Sequence, residues 1–398
     1  MGTDTDAQQP LPRFLHWIEQ GGGRLSNIHI VPLEGGERGV FAQGDIAPQQ
    51  PILQLPRRYL MTLEEAKAGE LGRAVAPHIP PEDAFTFLAV FLLEERERGE
   101  ASFWKPFLDI LPKAYPTHPF FFQEHELALL QGSFTLVRRE LQRQQLTALY
   151  AHLSQHAPGF ARFTFESFLW AWFSVLSRCF AGRFMVPIAD MLNDSRPFNT
   201  FWSLTEDGQF FEMKTTAPVA GGVEVHNSYG LKSNLELLVY YGFLHEQNEY
   251  DALGVPFGLP PGDPLAVEKQ QLLGLVAPGE QRLFKLTRLY NSQTMSQLMA
   301  FMRVAHAESE ELTLLMNDAK PEARVLRPLS RENEERALRG MIDTCRARLS
   351  GYATSIEEDE RLLREEPLSH NSRNCIRVRL GEKQVLQAHI RSYSALLS

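Results

Sequence analysis

The chain has 398 residues, 43% apolar and 22% charged, with a formal net charge of −9. That length is too great for one hydrophobic core and implies two or three domains of ordinary soluble composition. With an acidic balance and no long Lys/Arg run, nucleic acid is disfavoured as the main ligand, and a basic peptide or protein substrate suits the surface better. Cys179, Cys345 and Cys375 lie far apart without CxxC or Cys/His spacing, so neither a disulfide framework nor structural zinc is indicated. A reducing, cytoplasmic compartment is expected. The start, MGTDTDAQQP, lacks a signal-peptide pattern, and Asp6 stands where a myristoylation motif needs Ser or Thr. No apolar stretch reaches the length of a membrane span.

In chain order, residues 1–10 read as a disordered lead, and Gly21-Gly22-Gly23 as a flexible turn. From Ile28 to Thr62, the short runs IHIVPL, VFAQGDI and PILQLP, broken by Gly and Pro, predict strands of a twisted, irregular sheet. Thr62 before LEEA, with Glu65 three residues on, predicts a capping box that opens a helix. Asp83–Arg98 reads as a buried helix with a charged tail; 120–150 and 165–180 continue the helical texture. Strand signals return at 183–187, 201–204, 210–214 and 223–227. After Pro260-Pro261-Gly262 the chain reads as helical to its end. In 282–306, Leu283, Leu286, Tyr290, Met295, Leu298, Met299 and Met302 fall at helical spacing, the core face of a packed helix.

The common catalytic signatures are missing: no GxGxxG after a strand, no P-loop, no GxSxG elbow. The twelve His include no HExxH and no pair read as spaced for a metal, so no metal is expected. Four segments stand out instead. They are Gly35–Ala42 (GGERGVFA), Ser177-Arg178-Cys179-Phe180, Val186–Asp194 (VPIADMLND) and Asn227–Asn234 (NSYGLKSN), the last followed by Tyr240-Tyr241-Gly242-Phe243. A polar side chain within an apolar run must find partners or cost stability. One such residue reads as structural; Arg178, Asp190, Asn193 and Tyr229 together read as well as a site. Asn234 reads as a helix cap rather than a ligand.

In this order the four segments resemble the SET domain of the Rubisco large-subunit lysine methyltransferase family, a group that includes the actin histidine methyltransferase. Leu55–Thr62 (LPRRYLMT) resembles the family's strand-to-helix junction, and Phe103–Phe107 (FWKPF) with Leu111-Pro112 its helical insertion. The region beyond 262 resembles, more loosely, its substrate-binding domain. The resemblance implies an α+β fold: a SET domain of short twisted sheets with a helical insertion, then an all-helical C-terminal domain. The expected segments are a lead at 1–23, SET parts at 24–65 and 183–261, an insertion at 66–182, and a substrate-binding domain at 262–398. A monomer is expected.

The function implied is S-adenosyl-L-methionine-dependent protein N-methylation. On this pattern Arg38, Gly39, Arg178, Asn193, Asp194 and Phe243 hold the cofactor, with the Arg178 guanidinium on its carboxylate and the Gly39 backbone close to the ligand. Ser177, Cys179, Asp190 and Tyr241 line the substrate side, and Tyr229 carries catalysis by orienting the attacking nitrogen. The family has Asn-His where this chain has Asn193-Asp194, and its turn differs at Gly36-Glu37. Cys179, Ala189 and Lys232 replace an Asn, a Trp and an Arg of the actin histidine enzyme, which points to lysine as the acceptor. The alternatives are a histidine or small-molecule amine acceptor, or a SET-fold interaction module with weakened or lost cofactor binding.

Overall fold

The computed structural model describes residues 9–33, 37–276, 282–289 and 292–397, the side chains of 275, 276 and 292 excepted. Gly35 and Gly36 of the expected turn, Tyr290 and the first eight residues lie outside the described residues. The chain forms two compact units, one of Met1–Tyr115 with Arg143–Gly230 and the other of Pro116–Gln142 with Leu231–Ser398.

The first unit is built on short antiparallel sheets. A four-stranded sheet runs in the order Arg24–Leu25, Pro51–Pro56, Phe210–Thr215, Thr200–Leu204. Burial alternates along Phe210–Thr215, so one face of the sheet points to the core and the other outward. Ile28–Pro32 pairs with Arg38–Ala42 as a hairpin. A third sheet joins Met61–Thr62, Phe184–Met185 and Cys179–Phe180. Its tight connection has positive φ at both central residues, Ala181 (49°) and Gly182 (64°), and the Arg183 amide donates to the Phe180 carbonyl across the turn (3.0 Å). Such a turn matches the twist of the strands it joins.

The helices of this unit position the strands' ends. The Thr62 hydroxyl accepts from the Glu65 amide (3.2 Å) while the Glu65 carboxylate accepts from the Thr62 amide (3.1 Å), closing the capping box of Leu63–Ala68. Asp83 caps Ala84–Arg98, a helix buried over most of its length that packs on Phe165–Arg178. The lead carries a helix, Pro10–Gln20, whose Phe14 and Ile18 are fully buried. Burying each contributes about 1.5–3 kcal/mol, which anchors the helix to the first unit. Gly21–Gly23 is packed rather than flexible, since a Cβ at Gly21 would fall 1.6 Å from the Tyr59 hydroxyl.

Two stretches differ from the sequence reading. Val223–Asn227 forms no strand: Glu224 bridges to Phe41 and Asn227 to Asp194, so the segment divides its pairing between two partners. In the second unit Leu283–Thr287 is a strand, not the start of a helix, paired antiparallel with Ala252–Pro256. The helix begins at Ser292 and runs to Ala305, with Leu298 and Met302 in the core as expected. Elsewhere the regular elements among this unit's described residues are helices. Arg331–Ser350 packs against the long terminal helix His370–Leu397, around a core that includes Phe301, Met341, Val385 and Leu386.

Candidate active site

The helix Phe165–Arg178 starts at Thr164, whose hydroxyl accepts from the Ser167 amide, and ends where the chain turns into strand at Cys179. That ending presents Arg178 to the segment 186–194. There the Ala189 amide donates to the Pro187 carbonyl (2.8 Å) around Ile188, whose φ of 69° and ψ of −51° make a γ-turn. A positive φ is costly for a β-branched residue, about 1–3 kcal/mol, and persists only where the surroundings impose it. The reversal aims Asp190 back at the helix end. Arg178 Nη1 donates to the Asp190 carboxylate (2.9 Å) and to its backbone carbonyl (3.1 Å).

The Asp190 side chain is completely buried and Arg178 is half-buried. Burial works against the Arg178 charge, but Asp190 beside it overrides that and holds the guanidinium above its ordinary range. Arg38, which donates to the Ile110 carbonyl, is lowered by burial and by the nearby Arg178 charge. Tyr115 lies in the same cluster, its phenol pushed up by burial and bonded to the Ser174 hydroxyl (2.7 Å). Two guanidinium groups therefore face one carboxylate. Arg178 Nε and Asp190 Oδ1 are buried without a hydrogen-bond partner among the described residues. The cluster keeps a surplus positive charge and an unused donor.

Beside it, Asn193 bridges two elements. Its amide nitrogen donates to the Arg38 carbonyl (3.1 Å) and to the Glu224 carboxylate (2.8 Å). Gly39 adjoins this bridge: a Cβ there would meet Glu224 Oε1 at 2.7 Å and the Phe41 ring at 2.8 Å. The protein's own packing already demands a glycine, before any ligand is considered. Downstream, the Asn227 amide donates to the Asn193 carbonyl (2.9 Å). The Tyr229 amide donates to Asp194 Oδ1 (2.7 Å), and the Tyr229 hydroxyl to the Leu192 carbonyl (3.0 Å). Tyr229 is thus tied to the segment 192–194 at both its backbone and its phenol.

The structure brings Arg38, Gly39, Arg178, Asp190, Asn193, Asp194 and Tyr229 into one region of the first unit. Ser177 bonds its own helix, its hydroxyl donating to the Phe173 carbonyl (2.7 Å). Burial pushes the Cys179 thiol up to about 12, so it stays protonated. Tyr241 and Phe243 belong to the second unit, where their rings lie 6.2 Å apart at the end of the helix Asn234–Tyr241. That helix is capped by Ser233, and Asn234 instead bonds the His245 backbone through both ends of its amide. Three site residues escaped the sequence reading. Glu224 carried a signal, a charge in the alternating run VEV; Tyr115 and Ile188 carried none.

Comparison with known proteins places this arrangement. Residues 260–386 match the family described as Rubisco LSMT substrate-binding. The actin-histidine N-methyltransferase of Homo sapiens is 28% identical over 414 residues, covering 98% of this chain and 69% of that protein. The Canis lupus familiaris enzyme of the same name is 28% identical over 417 residues, covering 98% and 70%. A solved structure of Rubisco LSMT bound to AdoMet superposes with a TM-score of 0.82 at 26% identity, covering 98% of this chain and 92% of that one. The SET domain of LSMT bound to lysine and AdoHcy gives a TM-score of 0.83 at 24% identity, over 97% and 91%. The fold, the ordered segments and the C-terminal region agree in one respect: over nearly its whole length the chain is similar to the SET-domain protein methyltransferases Rubisco LSMT and actin-histidine N-methyltransferase.

Proposed function

We propose that this chain is an S-adenosyl-L-methionine-dependent protein N-methyltransferase that acts on a lysine side chain. The observation that carries the reading is Tyr229, whose hydroxyl is fixed on the Leu192 carbonyl beside a buried cluster with surplus positive charge. The residues present fit the cofactor. Its carboxylate suits the unmatched charge of Arg38 and Arg178 and the free Nε of Arg178. Its ammonium suits the acceptors already gathered by Asn193, the Glu224 carboxylate and the Arg38 carbonyl. When bound, it supplies a methyl group activated by a sulfonium.

The chain's own contribution is orientation and a preset polar environment. The Tyr229 phenol donates its proton to the Leu192 carbonyl, which orients its oxygen as the acceptor for an N–H of an incoming amine. That contact aims the nitrogen lone pair away from the ring. Val186, Ile188 and Leu192, all fully buried, make the adjoining wall apolar. An ordinary lysine has a pKa of about 10.4, and apolar surroundings favour its neutral, nucleophilic form. Asp190 acts as the partner of Arg178 rather than as a base, and the protonated Cys179 thiol does not compete as a nucleophile. Asp194, which stands where the family has histidine, accepts from the Tyr229 amide and so also fixes the backbone of that residue.

Cys179 and the buried Ala189 offer an imidazole no strong hydrogen-bonding side chain, which supports lysine. Histidine is the second reading, favoured by similarity to actin-histidine N-methyltransferases over 98% of this chain. We assign the cofactor and channel roles of Phe243 and Tyr241, the substrate-binding role of 262–398, a monomeric state and a reducing cytoplasmic setting as parts of the same proposal. Three free thiols support the last; among the described residues no helix is long and apolar enough to cross a membrane. The test incubates the protein with methyl-labelled cofactor and a cell lysate, then hydrolyses the labelled protein to amino acids. Nε-methyllysine is expected. Methylhistidine alone would overturn the acceptor, and absence of label from a folded, cofactor-binding protein would overturn the activity.

A further inference from the structure

The methyl-transfer reading leaves unexplained three imidazoles in the first unit. His152 and His156 stand four residues apart near the end of the helix Phe134–His156, so they share a face one turn apart. His78 closes the short 3₁₀ turn Ala76–His78. The ring centroids of His152 and His156 lie 4.7 Å apart; His78 lies 5.7 Å from His152 and 5.8 Å from His156. The helical pair is exposed and His78 is half-buried.

Those separations match a known requirement. Zinc holds imidazole nitrogen at about 2.0–2.1 Å, which puts each ring centroid about 3 Å from the ion. Three rings on one tetrahedral ion then have centroids about 5 Å apart. The rings are not yet turned inward: they are inclined to one another by 32° to 76°, and no group of three ligands among the described residues is preset around an ion. Rotation about two side-chain bonds corrects that, and exposed side chains change rotamer within nanoseconds. The helix itself fixes His152 and His156 one turn apart on one face, and the His78 ring already lies within 5.8 Å of both.

We propose that His78, His152 and His156 bind one divalent transition-metal ion of the zinc type, with water as the fourth ligand. The ion would tie the turn 76–78 to the C-terminal end of the long helix, two elements otherwise far apart in sequence.

The test uses the full chain purified without a histidine tag, titrated with Zn²⁺ by calorimetry and with Co²⁺ as an optical probe. One equivalent is expected, with a visible Co²⁺ band of nitrogen–oxygen coordination and a Tm that rises with Zn²⁺ concentration. His78→Ala and His156→Ala should each weaken binding at least about tenfold, since even changes outside the ligand sphere cost that much. His152→Gln, which keeps a polar side chain of similar reach, should do the same. Binding insensitive to all three changes, or insensitive to His78→Ala, would overturn the three-histidine site. So would thiolate-to-cobalt charge transfer, which would place the ion on cysteine.

Discussion

Tyr229 is held through two bonds with separable roles. Its amide on Asp194 Oδ1 sets where the residue lies, and its hydroxyl on the Leu192 carbonyl sets where the phenol oxygen points. Tyr229→Phe keeps the first and removes the second. The variant should lose about a hundredfold in turnover, the scale of one preorganised polar group in an active site. Its stability should fall by only about 1 kcal/mol. Single-turnover methyl transfer and a denaturant melt measure the two effects. Unchanged turnover would remove Tyr229 from its role. Gly39→Ala tests the other side of the site. The added methyl would meet the Glu224 carboxylate and the Phe41 ring below 3 Å, pushing Glu224 off Asn193. Calorimetry should show weaker binding of S-adenosylhomocysteine, with a stability cost of about 1–3 kcal/mol from overpacking. Tyr229, Arg178, Asp190 and Asn193 stood out in the sequence as polar residues among apolar neighbours, and the structure gathers them in one region. Ile188 was not, because an isoleucine gives no sign that the backbone will hold it at positive φ.

At the scale of elements, local chemistry was read correctly where neighbours in sequence decide the outcome. The Thr62 cap is an interaction over three residues, and it is present. Leu283–Thr287 shows the converse: Leu283 and Leu286 fit a helical face, yet pairing with Ala252–Pro256 makes them a strand. No window of the sequence contains that partner. The terminal helix His370–Leu397 offers a test of such long-range packing. Its Glu382 accepts from the Tyr352 hydroxyl (2.9 Å) and leaves Oε1 without a partner among the described residues. Burial pushes its carboxyl up to about 7, against the opposing pull of Ser133 and Tyr352. Between its ordinary value, about 4.5, and 7, the native state keeps a proton that the unfolded chain has lost. The stability this gives is complete below that window and is lost as pH rises through it. Glu382→Gln keeps a neutral acceptor at every pH, so its Tm should match the parent near pH 5 and exceed it by at least about 2 °C near pH 8. A constant difference between the two variants across that range would exclude the linkage.

At the scale of the molecule, the division into two units was only partly visible. The shift in texture at Pro260-Pro261-Gly262 is real in the sequence, but 231–261 and 116–142 pack with the helical region that follows. The reasons are contacts between distant segments. Arg379 of the terminal helix pairs with buried Asp359 (2.6 Å) and also donates to the Leu129 carbonyl (2.5 Å), and Cys375 and Val378 pack with Leu130, Leu235 and Leu238. Each unit has its own core, so a single unfolding free energy does not describe the chain, and ligand effects are best read segment by segment. Hydrogen exchange with saturating S-adenosylhomocysteine provides that reading. A ligand present at a hundred times its Kd stabilises the state that binds it by about 2.7 kcal/mol. If the first unit carries the site, slowed exchange should concentrate at 38–42, 188–194 and 224–230, the segments joined by Asn193, Asp194 and Tyr229. The strand pair Ala252–Pro256 and Leu283–Thr287, which binds nothing in this scheme, serves as the internal reference. Protection in that reference without protection at 188–194 would move the ligand away from the cluster of Arg38, Arg178 and Asp190, and the assignment of its charges with it.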